Sequence, residues 1–78
     1  MTEKMFDPKI VADRLKIVMN EHNLSKSEFG RRIDGVSRQS INNWLSLKSS
    51  PSASCLFLIG CEFNLDVNWL LGLTNKRR

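Results

Sequence analysis

The chain lacks long hydrophobic runs. No stretch of about 18 consecutive apolar residues occurs, so the sequence predicts no membrane span. The N-terminal residues MTEKMFDPK contain no apolar segment of the kind that a secretory signal requires. No run of alternating apolar and polar residues is long enough for a strand, and no internal repeat is present. We therefore expect one small helical domain that spans all 78 residues.

Groups that could carry catalysis or bind metal are also scarce. His22 is the only histidine, and the sequence offers no plausible Ser-His-Asp set, metal-ligand cluster or phosphate-binding glycine loop. The two cysteines, Cys55 and Cys61, lie six residues apart in one helical segment, where they point to different sides and cannot pair. We expect no enzymatic activity, cofactor, metal or small-molecule substrate. Both thiols are expected to be buried or half-buried, in the reducing cytoplasm.

Acidic residues are missing from the middle of the chain. The net charge is +4, and no acidic residue lies between Asp34 and Glu62, whereas Arg38 and Lys48 lie inside that segment. This distribution fits an anionic partner without proving one. Residues 74–78 form a basic tail, interpreted either as a solvated terminus or as part of the same basic surface.

Capping residues and apolar periodicity divide the chain into five predicted helices. These helices span residues 8–21, 26–33, 38–45, 53–63 and 67–73, and residues 1–6 are expected to form a loose arm. The residues predicted to face the core are Val11, Leu15, Val18, Met19, Phe29, Ile33, Ile41, Trp44, Leu45, Leu56, Ile59, Gly60, Phe63, Trp69, Leu70 and Leu73.

The fourth predicted helix carries more apolar surface than one core-facing stripe needs. Phe57, Leu58 and Cys61 supply this surplus. Either they pack against the fifth helix, or they form a dimer contact together with Leu47 or Leu73.

Residues 24–44, LSKSEFGRRIDGVSRQSINNW, carry two helix-start signals twelve residues apart. Ser25 and Glu28 have the spacing of a capping box, and Ser37 is an N-cap candidate for the next helix. Two short helices joined by a tight turn, the second opening with Arg, Gln and Ser, are what a helix-turn-helix DNA reader needs.

Three segments in this order and spacing, NLSKSEFGRRI, GVSRQSINNW and LDVNWLLGL, resemble the Cro/C1-type helix-turn-helix family of lambdoid phage repressors and many bacterial regulators. The resemblance covers about residues 10–73. It implies an all-α, compact five-helix lambda repressor-like DNA-binding domain, with the helix-turn-helix at the second and third helices. The implied function is a sequence-specific, double-stranded DNA-binding transcriptional regulator in the cytoplasm of a bacterial cell or phage-infected host. A phage or prophage repressor is favoured, either a Cro-like protein or the N-terminal domain of a C1-type repressor, bound as a homodimer to an inverted-repeat operator.

The sequence departs from the family pattern at two places. The turn between Gly30 and Gly35 is one residue longer than usual, and Asp34 with Gly35 is expected to form it. Gly30 costs a helix about 1 kcal/mol relative to alanine, so we expect another helix to approach it closely. Met19 and Leu45 replace an ion pair found in many members, and we predict that these two side chains touch.

The resemblance places base readers in the N-terminal half of the third helix. Arg38, Gln39 and Asn43 are the predicted base contacts, since arginine pairs with guanine and Gln or Asn with adenine in the major groove. The predicted phosphate contacts are Lys26, Ser37, Ser40, Asn42 and Lys48.

A protein-interaction module, such as an antitoxin-like protein, is the alternative on the same fold. Such a use would favour exposed aromatic residues and methionine on the outer face of the third helix. That face carries only Arg, Gln, Ser and Asn side chains, which favours DNA.

Overall fold

The computed structural model describes residues 6–77, which form five helices and no strand. The helices are α1 (Pro8–Glu21), α2 (Lys26–Arg32), α3 (Arg38–Leu45), α4 (Ala53–Phe63) and α5 (Val67–Leu71). The predicted all-α class is confirmed, and α1, α3 and α4 have the predicted bounds. Of the predicted N-terminal arm, residues 1–5 lie outside the described residues, and Phe6 is exposed. No helix within residues 6–77 is both long and apolar enough to cross a membrane.

Each helix begins at a side chain that accepts a hydrogen bond from a backbone N–H two or three residues further on. These N-cap residues are Asp7, Ser25, Ser37, Ser52 and Asp66. Two helices end earlier than the sequence predicts. α2 ends at Arg32 because Ile33 leaves helical geometry, at φ −115° and ψ 54°. α5 ends before Gly72, which adopts a left-handed φ of 86°.

The core lies around α1, which packs against both α3 and α5, while α2 packs against α3 and α4 against α5. Every residue predicted to face the core is buried except Leu45, which is half-buried, and Leu73, which is 63% exposed. The prediction for Leu73 is wrong because the left-handed Gly72 turns the chain out of the helix before it. Met19 is buried and Leu45 packs against the same core, but their direct contact stays a prediction.

The outer face of α4 remains open to solvent. Leu58 packs against the core, but Phe57 is 63% exposed and Cys61 is also exposed. Packing against α5 therefore does not account for Phe57. The expectation that both cysteines are at least half-buried is wrong for Cys61 and correct for Cys55.

The end of the chain folds back over α1 and α5. The Arg77 guanidinium donates to both carboxylate oxygens of Glu21 and lies 4.8 Å from the centre of the Trp69 ring. Arg14 lies 4.9 Å from the same ring and donates to the carbonyl oxygen of Thr74 at 2.9 Å. Arg77 is therefore not part of a solvated basic tail, while Arg78 lies outside the described residues.

Candidate nucleic-acid interface

The position of α3 is set at its first turn and along its buried face. The backbone N–H of Ser40 donates to the Ser37 hydroxyl at 3.2 Å, which caps the helix. Ile41 and Trp44 are buried and hold the helix against the core. The opposite face carries polar residues that are exposed or half-buried: Arg38, Gln39, Ser40, Asn42 and Asn43.

A tight turn joins α2 to α3. The carbonyl oxygen of Gly30 accepts hydrogen bonds from the N–H groups of Ile33, Gly35 and Val36, at 3.2, 3.0 and 3.0 Å. A Cβ atom at Gly30 would lie 2.0 Å from the carbonyl oxygen of Val36. The residue is therefore glycine because the backbone of the turn itself passes over it. The expectation that another helix makes this close approach is wrong.

The additional residue of this turn is accommodated by two successive left-handed residues. Asp34 has a φ of 67° and Gly35 a φ of 78°. Glycine adopts this conformation freely, and Asp tolerates it better than most residues. The longer turn thus brings α3 onto α2 as predicted for a helix-turn-helix, and α2 and α3 pack against each other.

The start of α2 is fixed by the predicted capping box. The N–H of Glu28 donates to the Ser25 hydroxyl at 3.1 Å, and the N–H of Ser25 donates to the Glu28 carboxylate at 2.9 Å. The backbone N–H of Ser25, together with its hydroxyl, lowers the pKa of Glu28 below its ordinary value. The first residue of α2, Lys26, is half-buried beside this cap.

Lys26 and Asn42 contact each other across the two helices. The Lys26 ammonium donates to the side-chain oxygen of Asn42 at 2.7 Å. The sequence predicts both residues as phosphate contacts but gives no sign of this bond, because sixteen positions separate them. The bond leaves further N–H donors on both side chains for an anion.

Gln39 and Asn43 form a second pair, one turn apart on α3. The side-chain nitrogen of Gln39 donates to the side-chain oxygen of Asn43 at 3.0 Å. The i,i+4 spacing of two amide side chains is the signal that could have predicted this bond. In addition, the hydroxyl of Ser37 contacts that of Ser40, with 3.1 Å between the oxygens.

Arg38, Gln39 and Asn42 line one concavity of about 410 Å³ at the outer face of α3. Lys48 lies beyond the other end of the helix and is exposed. Its backbone N–H donates to the Asn43 carbonyl oxygen at 2.9 Å, which ties the loop to the end of α3. The structure thus brings the predicted base and phosphate contacts onto and around one helix, with Lys48 at the opposite end from Arg38.

Arg32 does not join this surface. Its guanidinium donates to the Glu62 carboxylate at 2.6 Å and lies 5.1 Å from the centre of the Phe63 ring. This arginine therefore links α2 to α4. No local feature of the sequence indicates that, within the described part of the chain, Arg32 forms an ion pair whereas Arg38, the first residue of α3, does not.

Comparison with known proteins gives one finding. The family model of the Cro/C1-type helix-turn-helix matches residues 15–70, which is well over half of the chain. The matched segment contains α2 and α3 with the turn between them, and all of the predicted contact residues. No significant match to a curated protein or to a solved structure was found.

Proposed function

The chain belongs to the Cro/C1-type helix-turn-helix family and is a DNA-binding regulator of transcription, and we propose that it is a repressor of phage or prophage type. It acts by occupying an inverted-repeat operator and excluding polymerase, in the cytoplasm of a bacterial cell or phage-infected host. One observation carries the proposal. The outer face of α3 presents only basic and amide or hydroxyl side chains around a single concavity, in a segment without acidic residues.

The residues proposed to face base edges are Arg38, Gln39 and Asn43. Arg38 and Gln39 are exposed in the first turn of α3, the part of a recognition helix that enters the major groove. An arginine pairs with guanine O6 and N7, and an amide side chain pairs with adenine N6 and N7. Each such pair discriminates between bases by about 1–3 kcal/mol.

The residues proposed to hold backbone phosphates are Lys26, Ser37, Ser40, Asn42 and Lys48. The Lys26–Asn42 bond favours this role because it concentrates N–H donors beside the concavity at α3. Lys48 lies past the other end of the helix. Contacts at both ends would fix the orientation of α3 on the duplex without carrying sequence information.

A homodimer is proposed because one recognition helix of eight residues makes few base contacts. Two copies on an inverted repeat would place half-site centres about one helical turn apart. The exposed side chains of Leu47, Phe57 and Leu73 are candidate apolar contacts for the second copy.

The exposed Phe57 also supports one alternative, an antitoxin-like or protein-interaction module. In that role the face of α4 that carries Phe57 binds another protein. A DNA-binding antitoxin would use both faces.

Selection from a random-sequence duplex pool, followed by titration of the enriched duplex at several salt concentrations, tests the proposal. We expect an inverted repeat whose affinity falls steeply as salt rises. Enrichment of a single half-site would contradict the dimer but retain the DNA reader. Weak, salt-sensitive binding without enrichment would overturn the repressor and favour the protein-interaction module.

A further inference from the structure

We infer that Asn43 is a positioning residue that restricts Gln39 to reading adenine. The inference rests on the proposed function and refines the role of Asn43 within the residues that face the bases. It starts from the hydrogen bond in which the Gln39 side-chain nitrogen donates to the Asn43 side-chain oxygen at 3.0 Å. Gln39 is exposed, whereas Asn43 is half-buried.

The backbone at Asn43 is held at the end of α3. Its carbonyl oxygen accepts the N–H groups of Lys48 at 2.9 Å and Ser49 at 3.3 Å. The Ser46 hydroxyl lies 3.4 Å from the same oxygen. Asn43 is therefore the more fixed partner, and Gln39 is the side chain that extends from it toward solvent.

The consequence follows from counting donors and acceptors. A glutamine side chain has two N–H donors and one carbonyl acceptor. Asn43 takes one of the two donors of Gln39, so that one N–H and one carbonyl oxygen remain for a ligand.

That remaining pair matches only one purine. In the major groove adenine presents an acceptor at N7 and a donor at N6, whereas guanine presents acceptors at both N7 and O6. A bidentate contact to guanine would need both N–H groups of Gln39, and the bond to Asn43 would break. The pair therefore favours adenine over guanine opposite Gln39.

The neighbouring amide has a different constraint. The side-chain oxygen of Asn42 accepts from the Lys26 ammonium at 2.7 Å. Its amide nitrogen keeps both N–H donors, which suits a phosphate oxygen. Of the two adjacent asparagines, only Asn43 is therefore bonded to a base-facing side chain.

The test compares the full 78-residue chain with Asn43→Ala, Asn43→Asp and Gln39→Ala, using the operator enriched by the unchanged chain. Affinities are measured for four duplexes that differ only at the base pair where Gln39→Ala loses its preference. The unchanged chain should prefer adenine to guanine there by about five-fold to about a hundred-fold. Asn43→Ala should lose part of this preference at that same base pair, because Gln39 regains the second donor that a contact to guanine needs.

Asn43→Asp provides the rescue. A carboxylate accepts the same N–H, so the preference for adenine should persist, while the added negative charge weakens every duplex alike. Thermal denaturation of each variant verifies that it is folded at the temperature of the titration.

Two results would overturn the inference and leave the proposed function standing. In one, Asn43→Ala changes the preference at a different base pair. In the other, Asn43→Asp selects cytosine, whose N4 amine donates to carboxylates. Either would mean that Asn43 contacts a base itself. Failure of the unchanged chain to enrich any duplex would instead overturn the proposed function, and the inference with it.

Discussion

Basic side chains play different parts at two regions of this molecule. Where the chain end folds over α1 and α5, Arg14 and Arg77 both lie against the Trp69 ring, and Arg77 is paired with Glu21. Along α3, by contrast, Arg38 lines an open concavity, and Lys48 is exposed beyond the helix. The three ion pairs formed among residues 6–77 all lie outside α3.

The difference shows that net charge alone does not locate a nucleic-acid surface. A cation held by a carboxylate and an aromatic ring contributes to the fold, and its field is partly cancelled. A cation in a segment free of acidic residues keeps its field for an approaching phosphate. The following variants test this separation of folding from binding, from the largest expected effect to the smallest.

Gly30→Ala should disrupt the turn that holds α3 against α2, and with it the proposed DNA-binding surface of α3. Its Cβ would lie 2.0 Å from the Val36 carbonyl oxygen, and backbone cannot move aside as a flexible side chain can. We expect a loss of about 3 kcal/mol in the free energy of unfolding, measured by urea denaturation. Gly35→Ala is the matched control. It meets no atom within 4 Å, and its left-handed φ should cost only about 1 kcal/mol. Equal urea midpoints for the two variants would contradict the account of the turn.

Arg38→Ala and Arg32→Ala should separate binding from stability. Arg38→Ala should weaken binding to the selected operator by about 1–3 kcal/mol and relax the preference at one base pair. Its urea midpoint should stay unchanged. Arg32→Ala removes the contacts to Glu62 and Phe63. Because this pair is partly exposed, its loss should lower the unfolding free energy by about 1 kcal/mol or less, without altering base preference. The comparison fails if both arginines change base preference.

Lys48→Ala should weaken binding to all sequences alike. A lysine that contacts one phosphate contributes about 1 to the slope of log affinity against log salt concentration. Titration at several salt concentrations measures that slope, and Lys16→Ala, which removes an exposed lysine on α1, is the control. An unchanged slope in Lys48→Ala would mean that Lys48 does not contact a phosphate.

The sequence predicts the helices well because their signals are local. Serine and aspartate caps and apolar periodicity act within a turn or two, and they give α1, α3 and α4 their observed bounds. The order of the capping box, the glycine turn and the second serine cap likewise predicts the helix-turn-helix that the family match supports. The early end of α5 differs from the prediction because a glycine can either continue a helix or end it in a left-handed conformation. Gly72 does the latter.

The partners of individual charges could not be predicted in this way. Arg32 and Arg38 have the same side chain, but among the described residues the tertiary fold places only Arg32 beside a carboxylate. That carboxylate belongs to Glu62, 30 positions further along the chain. The Arg77–Glu21 pair joins residues 56 positions apart. Such contacts depend on the tertiary fold, so the sequence indicates which residues could bind DNA but not which of them the fold already uses.

Glu21→Gln should give the smallest effect and act on stability alone. The hydrogen bonds from Arg77 lower the pKa of Glu21 below its ordinary value of 4.5. A carboxylate whose pKa is lower in the folded chain stabilises the fold above its unfolded-state pKa, and this stability is lost as pH falls through the folded-state pKa. The unchanged chain should therefore be more stable than Glu21→Gln at neutral pH. Urea midpoints measured from pH 7 downward should converge below pH 4.5.

Arg77→Met provides the second arm of this test, because removing either partner removes the same pair. Arg77→Met also removes the contact to the Trp69 ring, but Glu21→Gln in that background should add little further loss at neutral pH, as expected if Glu21 acts only through Arg77. Operator preference should be identical in all three variants, since the pair lies at the chain end against α1. A change in base preference in any of them would mean that the Arg77–Glu21 pair also positions α3. The two regions would then not be independent.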